Sequence, residues 1–317
     1  MNDPIIVSIR CTVFNHEPYL RQCLDGFVKQ QTNFKFEAFV HDDASTDGSA
    51  AIISDYAKRY PDIIKPLIEK ENLYSKRDGS FVKMTYSREH LVGKYIALCE
   101  GDDYWTDPLK LQKQVDYLEA HPECSMVFGN AIEHWDDNRK PDRLFSNIID
   151  RDYDPVEMSE KWIVPTASIV FRASIMDSSL FTVFESNLKI NLAGDLPLCL
   201  ICGASGTIHG FPDVFGVYRK QANGFMLSMQ AEQRMALGDH RIEIYKVFGK
   251  KYKNTTIQVA MTQYRLALSY AKMEHNRRAW FKALWKSVSI RIRYPDIAIK
   301  HVFQILRERK ERLAAAR

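Results

Sequence analysis

The stretch KYIALCEGDDYWTDPLKLQKQVDYLEAHP, residues 94–122, carries the pattern that decides the fold. Its first part, KYIALCE (94–100), is a short apolar run typical of a buried strand, and PLKLQKQVDYLEAHP (108–122) has apolar residues at helical spacing. Asp102 and Asp103 lie side by side between the two. Because like charges repel, two carboxylates here indicate a cation, a hydrogen-bonding ligand or exposure to solvent.

The same alternation of strand and helix fills the first 135 residues. Predicted strands cover 5–14, 34–43, 63–69, 94–100 and 124–135, and predicted helices cover 17–31, 49–61, 86–93 and 108–122. Strands separated by helices of this length predict βαβ units and a mainly parallel sheet. Further along, HGFPDVFGVYRK (209–220) is strand-like, and the chain is mostly helical from 228 onward with a break at Pro295.

Polar side chains follow three of these predicted strands. They are Thr12 and Asn15 at the first, Asp42 and Asp43 at the second, and Asp102 and Asp103 at the fourth. Ligands of parallel α/β sheets bind beyond the carboxyl ends of the strands, so these side chains predict a site at that edge. Ser45, Thr46 and Asp47 precede a predicted helix and are interpreted as capping residues, as is Asp107 at the helix that follows.

Two common phosphate-binding signatures are missing from the sequence. FNHEPYL (14–20) follows the first strand in place of a G-x-G-x-x-G loop, which argues against a nicotinamide dehydrogenase, and there is no P-loop. A diphosphate bound at this edge therefore needs a metal ion and basic side chains. Mg²⁺ or Mn²⁺ held by one or two carboxylates and by phosphate oxygens is the usual solution.

Three segments closely resemble the family 2 inverting nucleotide-sugar glycosyltransferases of the bacterial surface-polysaccharide type, which have the glycosyltransferase A fold. They are CTVFNHEPYLRQCLDGF (11–27), FVHDDASTDGS (39–49) and KYIALCEGDDYWTDPLKLQKQVDYLE (94–119). The resemblance is dense over about 5–135 and thinner to about 225. It implies a single Rossmann-like α/β domain with a mostly parallel central sheet, and the helical pattern after residue 228 adds a C-terminal helical extension.

The resemblance also implies boundaries within the chain. The catalytic domain would cover 1–225, with a nucleotide-sugar-binding half (1–135) and an acceptor-binding half (136–225). Beyond the resemblance, the helical alternation of apolar and basic residues predicts that 226–317 form a basic, amphipathic helical extension.

The resemblance assigns roles to individual residues. Thr12 would lie beside the nucleotide base, Asp43 would contact the base, Asp102 the ribose, and Asp103 would bind the metal ion. Further nucleotide-sugar contacts are expected from Asn15, Asn72 and Lys76, and diphosphate contacts from Arg219 and Lys220. In YRKQANGF (218–225), Gln221 occupies a position where the family often has histidine, which puts a histidine metal ligand in doubt.

Asp195, in NLAGDLPLCL (191–200), has two interpretations. On the residues alone, an aspartate ahead of an apolar helix is typical of an N-cap. By the resemblance, it is the catalytic base that deprotonates an acceptor hydroxyl. The implied reaction is a single displacement on a nucleoside-diphosphate sugar, with a UDP-sugar the first expectation, Mn²⁺ or Mg²⁺ as cofactor, and a glycan or lipid-linked acceptor.

The sequence leaves two alternative functions open. A nucleotidyltransferase that makes a sugar nucleotide can use a metal on a related sheet, but it would be expected to carry a glycine- and lysine-rich phosphate loop. A catalytically silent module that binds sugar nucleotides is disfavoured because Asp103 and Asp195 are both present.

Charge is distributed unevenly along the 317 residues, of which 45% are hydrophobic and 26% charged. Residues 272–317 hold 13 Lys/Arg against 4 Asp/Glu, whereas the remainder holds 31 against 36. The basic end predicts either helices that contact a membrane surface over 275–317, inserting Trp280, Phe281, Trp285 and Ile292, or a helical cap with a solvated basic face. The acidic body and the lack of a recognised binding motif argue against nucleic acid.

Six cysteines lie in apolar runs, which predicts reduced core thiols, including the C-x-x-C pair Cys199 and Cys202. The sequence shows no signal peptide and no run of about 18 apolar residues. These features predict a cytoplasmic protein, and the membrane interpretation of the basic end adds a peripheral position on the inner face of the membrane.

Overall fold

A computed structural model describes residues 3–189, 191–221 and 228–315. The chain divides into two compact units, Met1–Asn191 with Asp195–Ala222, and Leu192–Gly194 with Asn223–Arg317. The predicted boundary between 225 and 226 lies outside the described residues. The assignment of a catalytic domain with two halves and an extension stays a prediction.

The described part of the first unit contains ten strands. They are β1 (Ile5–Val13), β2 (Lys35–Asp42), β3 (Ile64–Ile68), β4 (Tyr95–Leu98), β5 (Tyr104–Trp105), β6 (Cys124–Trp135), β7 (Arg143–Leu144), β8 (Arg151–Asp152), β9 (Val170–Arg172) and β10 (Thr207–Lys220). All the strands predicted from the sequence are present, and β5, β7 and β8 are two-residue strands that the sequence pattern missed.

Eight α-helices accompany these strands. They are α1 (Glu17–Val28), α2 (Ser49–Arg59), α3 (Leu73–Lys76), α4 (Ser80–Thr85), α5 (Lys110–Ala120), α6 (Pro155–Glu160), α7 (Ser179–Ser186) and α8 (Asp195–Ser205). Short 3₁₀ helices cover Thr166–Ser168, Ala173–Asp177 and Asn191–Ala193.

One sheet has the order β3-β2-β1-β4-β9-β6-β10-β5, with β7 beside β6 and β8 beside β10. β1 pairs in parallel with β2 and β4, β2 with β3, and β6 with β10. β9 runs antiparallel between β4 and β6. The long pairings are parallel, so the predicted α/β fold with a mostly parallel sheet is confirmed.

The two faces of β1 differ in chemistry because successive side chains point to opposite sides of a strand. Val7, Ile9, Cys11 and Val13 lie in the apolar core with the buried face of α1. The alternate residues Ser8, Arg10 and Thr12 are also buried, and they make the other face polar. This polar face continues up to the strand end where a site was predicted.

One predicted helix is wrong. The helix expected at 86–93 is absent, and the chain there forms turns, while α4 lies just before it at Ser80–Thr85. The local start signal explains the shift. Asp78 Oδ1 accepts hydrogen bonds from Ser80 N at 2.9 Å and from Ser80 Oγ at 2.6 Å, and Gly79 takes the positive φ of 87° that the turn before the helix requires.

The second unit contains four long helices among its described residues. They are α9 (Ala231–Phe248), α10 (Lys253–Met273), α11 (Arg277–Arg293) and α12 (Pro295–Ala315), with a 3₁₀ turn at Lys250–Tyr252. The predicted break at Pro295 is confirmed, since α11 ends before it and α12 begins with it. These helices have their own apolar core, rich in alanine. Trp280 packs against that core, so the expectation that it lies with Phe281, Trp285 and Ile292 on an inserting face is wrong.

The six cysteines are all buried and free, as predicted. None of the described helices combines the length and the apolar composition that a membrane span requires.

Lys110 is a fully buried cation at the first position of α5. Its Nζ lies 4.1 Å from the centroid of the Trp105 ring and has no hydrogen-bond partner among the described residues. Burial lowers the pKa of Lys110 to about 7. The unfolded chain therefore binds a proton between about pH 7 and pH 10.5 that the folded chain does not bind, so wild-type stability rises with pH in that window.

We expect Lys110→Met to raise the free energy of unfolding by about 1–3 kcal/mol at pH 7, because it removes the cost of burying an unpaired amine. The gain should shrink toward pH 10. Urea unfolding at both pH values measures it, with Lys29→Met, at an exposed position directly after α1, as control. A loss of stability at pH 7 would show that the amine is needed.

Candidate active site

The carboxyl ends of β1, β2 and β4 meet, as the sequence predicts. Asp43 N donates to Val13 O at 2.9 Å, and Gly101 N donates to Thr12 O at 2.9 Å. The ends of β2 and β4 therefore flank the end of β1. Thr12 is buried between them, beneath the acidic residues that follow both neighbouring strands.

Asn15 joins the loop after β1 to the loop after β2. It has a positive φ of 56°, its backbone N donates to Ser45 Oγ at 2.9 Å, and its Oδ1 accepts from Thr46 N at 2.8 Å. Ser45 in turn bonds to Asp42. These polar residues hold the two loops together, and Asn15 is an exposed member of that junction.

Asp43 is buried and holds the next loop with both carboxylate oxygens. Oδ1 accepts from Leu73 N at 2.6 Å and Oδ2 from Tyr74 N at 3.0 Å, at the start of α3. Asn72 donates from Nδ2 to Asp43 O at 3.0 Å and caps α3 by accepting from Ser75 N. The structure thus brings Asp43 and Asn72 together and gives Asp43 a structural task that the sequence did not indicate.

Lys76 lies at the end of α3 and is half exposed. Its Nζ is 2.8 Å from Glu71 Oε2 in an exposed ion pair. Lys76 therefore lies near the edge predicted to bind the nucleotide. Among the described residues, no bond joins it to the other residues predicted to contact the nucleotide sugar.

Three carboxylates crowd the end of β4. Asp103 is 4% exposed, and burial, followed by the charge of Asp102, raises its pKa well above the usual range. Burial also raises the pKa of Glu100 to about 7, with the charges of Asp195 and Asp102 adding to the shift and Arg10 opposing it. The sequence had singled out Asp102 and Asp103 but had given Glu100 no role.

β10 approaches this cluster with its last residues. Arg219 N donates to Asp103 Oδ1 at 2.9 Å, and Gln221 Nε2 donates to Asp102 Oδ2 at 3.1 Å. Gln221, at the position where the family often has histidine, therefore donates a hydrogen bond to Asp102, the residue predicted to contact the ribose. Ala222–Phe225, the rest of that predicted segment, lie outside the described residues.

The two predicted diphosphate cations already have anionic partners. Arg219 Nη1 is 3.3 Å from Asp136 Oδ1, and its guanidinium lies 4.6 Å from the centroid of the Tyr104 ring. Lys220 Nζ is 3.1 Å from Glu133 Oε2. In this structure Arg219 bonds to the acidic cluster through its backbone N–H, while its guanidinium pairs with Asp136.

Asp195 is the first residue of α8 and is half-buried. Its Oδ2 accepts from Thr166 Oγ1 at 2.9 Å. Burial raises the pKa of Asp195, opposed by the Thr166 hydrogen bond and by Arg10. The residue is therefore a fixed carboxylate whose pKa is moved in the direction that suits a general base near neutral pH.

Arg10 is a buried cation that the sequence analysis missed. Its Nη2 lies 3.5 Å from Glu100 Oε1, and its Nη1 donates to Tyr86 Oη at 3.2 Å. It stabilises the charged forms of both Glu100 and Asp195. The sequence feature that could have revealed Arg10 is the alternation along β1. Arg10 lies on the same side of the strand as Ser8 and Thr12, and the three residues together mark a polar inner face.

Tyr218 of β10 connects the carboxylates electrostatically. Burial raises its pKa, and the charges of four carboxylates raise it further, those of Asp103, Asp102, Asp195 and Glu100. Carboxylates whose charges all raise the pKa of the Tyr218 phenol lie in one polar region around it. The structure therefore brings the predicted base, the predicted metal ligand and the predicted ribose contact to the same region.

This donor set fits a divalent cation. Repulsion among Glu100, Asp102 and Asp103 is relieved when a hard cation binds oxygen ligands. No group of three side chains arranged to hold a metal occurs among the described residues, so the remaining ligands would be phosphate oxygens and water. That requirement ties metal binding to the binding of a phosphorylated ligand.

Comparison with known proteins shows which family the chain resembles in sequence. The model of the family described as glycosyl transferase family 2 matches residues 8–179. An uncharacterized protein of Mycobacterium tuberculosis is 34% identical over 228 residues, which is 72% of this chain and 62% of that protein. The chain thus spans under two thirds of the length of this relative.

Two further proteins extend the comparison. A GalNAc(5)-diNAcBac-PP-undecaprenol beta-1,3-glucosyltransferase of Campylobacter jejuni is 22% identical over 312 residues, covering 92% of this chain and 91% of that protein. The crystal structure of TarS 1-349 from S. aureus in complex with UDP-GlcNAc has a TM-score of 0.62 at 14% identity, covering 90% of this chain and 81% of that one. The structural likeness shows a shared fold.

We expect the raised pKa of Glu100 to lower stability as pH rises. The folded chain keeps the Glu100 proton up to about pH 7, whereas the unfolded chain loses it near pH 4.5, so stability falls between these values. Glu100→Gln should remove this part of the pH dependence, on the order of 2 kcal/mol.

Chemical denaturation at pH 5 and pH 8 with a chelator present measures this difference between wild type and variant. Glu89→Gln, at an exposed turn, is the control and should behave as wild type. Equal pH dependence in Glu100→Gln and wild type would contradict the assignment.

Proposed function

The chain belongs to glycosyl transferase family 2, and from that premise we propose that it transfers a sugar from a nucleoside-diphosphate sugar to a hydroxyl group. The observation that carries the proposal is the cluster of Glu100, Asp102 and Asp103 at the carboxyl edge of the sheet, in one polar region with Asp195. Such a cluster suits a diphosphate ligand that arrives with a cation.

The nucleotide base of the sugar donor would lie at the ends of β1 and β2. Thr12 and Asp43 border this part of the site, and Asp43 shapes it by fixing the loop at Leu73 and Tyr74. Asn15 and Asn72 hold the loops on either side, and Lys76 would contact the nucleotide from the rim. A UDP-sugar is the donor that we propose first, as suggested by the fold shared with TarS, which was crystallised with UDP-GlcNAc.

The ribose and diphosphate would lie at the end of β4. Asp102, oriented by Gln221, would accept from the ribose, and Asp103 would hold Mn²⁺ or Mg²⁺. When bound, the cation supplies Lewis-acid stabilisation of the leaving diphosphate. Arg219 positions Asp103 through its backbone N–H, and the charges of Arg219 and Lys220 would become available to phosphate by leaving Asp136 and Glu133.

Asp195 would act as the catalytic base. Thr166 bonds to Oδ2 and fixes the carboxylate, so that Asp195 can accept a proton from the acceptor hydroxyl as its oxygen attacks the anomeric carbon. Attack from the face opposite the diphosphate inverts the configuration. Arg10 beneath the site opposes the rise in the pKa of Asp195 that burial causes, and so favours the charged, proton-accepting form.

The acceptor would be a glycan or a lipid-linked oligosaccharide of surface polysaccharide synthesis. The Campylobacter relative supports this class because its name specifies an undecaprenol-diphosphate-linked acceptor. An acceptor of that kind would be met at the inner face of the cytoplasmic membrane. We therefore propose a peripheral position there, with contact through 275–317.

Asp195→Asn should reduce turnover by about 10²–10⁴-fold while leaving the donor dissociation constant within about twofold, because a base acts on the acceptor proton. Release of free nucleoside diphosphate, rather than pyrophosphate, measures transfer. Asp177→Asn, in the 3₁₀ turn after β9, is the matched control. Full turnover by Asp195→Asn would exclude Asp195 as the base, and pyrophosphate release would indicate a nucleotidyltransferase.

Asp103→Asn should weaken binding of UDP-sugar in the presence of Mn²⁺ by at least about tenfold, because it removes the protein's ligand to the cation. Asp102→Asn is the control and should weaken binding while keeping the dependence on Mn²⁺. Calorimetric titration with and without Mn²⁺ separates the two. Mn²⁺-dependent binding that survives in Asp103→Asn would place the metal on another residue.

A further inference from the structure

α11 carries an exposed apolar stripe. Phe281 is 64% exposed, Trp285 73% and Ile292 75%, and Val288 is exposed between the last two. Their spacing of four, three and four residues places all four on one side of the helix. α12 continues the pattern with four further exposed side chains, Ile299, Val302, Phe303 and Leu306.

This stripe is not used to hold the second unit together. The opposite side of α11 does that, through Ala279, Ala283, Ser287 and Ile290, which are buried in the core. A helix that is anchored by one face and exposes a tryptophan and a phenylalanine on the other has apolar surface left for a partner.

The charges of α11 are all of one sign. The helix contains six basic residues and no acidic one, namely Arg277, Arg278, Lys282, Lys286, Arg291 and Arg293. Lys286 turns inward to Asp239, at 2.6 Å, and Arg291 donates to Ser287 O at 2.6 Å.

The remaining four basic residues border the stripe. Arg277, Arg278, Lys282 and Arg293 are exposed. At 100° per residue, Arg277 lies on one side of the stripe, and Arg278, Lys282 and Arg293 lie on the other. The exposed apolar face is thus flanked by cations.

We propose that the stripe of α11, continued by α12, is a docking face for the surface of an anionic lipid bilayer. The apolar and aromatic side chains enter the boundary between headgroups and acyl chains, and the flanking cations meet the lipid phosphates. The proposal deepens the contact suggested above by naming the face and the lipid chemistry. Its purpose, access to a lipid-linked acceptor, rests on the proposed function.

Two other occupants fit less well. A second copy of the chain would bring two strongly basic helices together, and the repulsion of like charges opposes that contact. A nucleic acid would satisfy the cations but would leave the tryptophan and phenylalanine stripe against water. An anionic bilayer offers an apolar interior and negative charge side by side, which matches both parts of this face.

Vesicle flotation tests the proposal with the full chain. Wild type should bind vesicles of phosphatidylcholine and phosphatidylglycerol in a 3:1 ratio and should bind pure phosphatidylcholine at least about tenfold more weakly. The triple variant Phe281→Ser, Trp285→Ser, Ile292→Ser should lose binding to both by at least about tenfold. The matched control replaces three exposed apolar residues of the first unit, Leu144→Ser, Ile149→Ser and Val183→Ser, and should bind as wild type.

A charge variant, Arg278→Gln, Lys282→Gln, Arg293→Gln, separates the two parts of the face. It should retain the weak binding to neutral vesicles but lose the preference for anionic ones. Quenching of Trp285 fluorescence by brominated lipid, absent in Trp285→Phe, reports insertion directly. Circular dichroism and thermal unfolding confirm that each variant is folded.

Undiminished binding by the folded stripe variant would overturn the proposal, and so would equal binding of wild type to neutral and anionic vesicles. A dimer that dissociates in the stripe variant, together with no vesicle binding by wild type, would assign the face to a second copy. Transfer to a water-soluble acceptor is measured in parallel and should be unchanged in the stripe variant. Asp195→Asn should still bind vesicles, so docking and catalysis can fail independently.

Discussion

Repulsion among three carboxylates at the end of β4 is the constraint on which the rest of the site depends. Glu100, Asp102 and Asp103 follow one strand within four residues, and two of them are shielded from water well enough for their pKa values to rise. The protein offsets this with Arg10 below the cluster and with the backbone N–H of Arg219 beside it. We propose that a cation arriving with a diphosphate provides the remaining stabilisation of the cluster.

The sheet explains how the groups come together. β1 lies between β2 and β4, so the residues after both neighbours converge above Thr12. β10, from the far half of the sheet, brings Tyr218 and Arg219 to the same place, followed directly by Gln221, and α8 starts there with Asp195. The nucleotide side and the acceptor side of the proposed site therefore come from segments about 90 residues apart, held by one continuous sheet.

The sequence was sufficient for the strand ends but not for their partners. Asp102 and Asp103 could be recognised because a buried strand and an amphipathic helix bracket them, and the parallel sheet followed from the same alternation. The hydrogen bonds of Asp43 to Leu73 and Tyr74, and of Asp195 to Thr166, could not be read, because they join residues about 30 positions apart through loops without periodicity. Arg10 was hidden in a strand that looked apolar, and the helix at 80–85 was displaced by a short capping signal at Asp78. Local sequence patterns were enough to predict most helices and strands, whereas the polar contacts between distant residues became visible only in the folded chain.

The central claim is that the cluster at the end of β4 binds a divalent cation and a nucleoside diphosphate together through Asp103. The most direct measurement is a crystal of the protein grown with Mn²⁺ and UDP, with anomalous diffraction used to locate manganese. One anomalous peak is expected within bonding distance of a carboxylate oxygen of Asp103 and of the diphosphate oxygens. A bound diphosphate whose manganese lies away from Asp103, or a diphosphate bound with no manganese at this cluster, would contradict it.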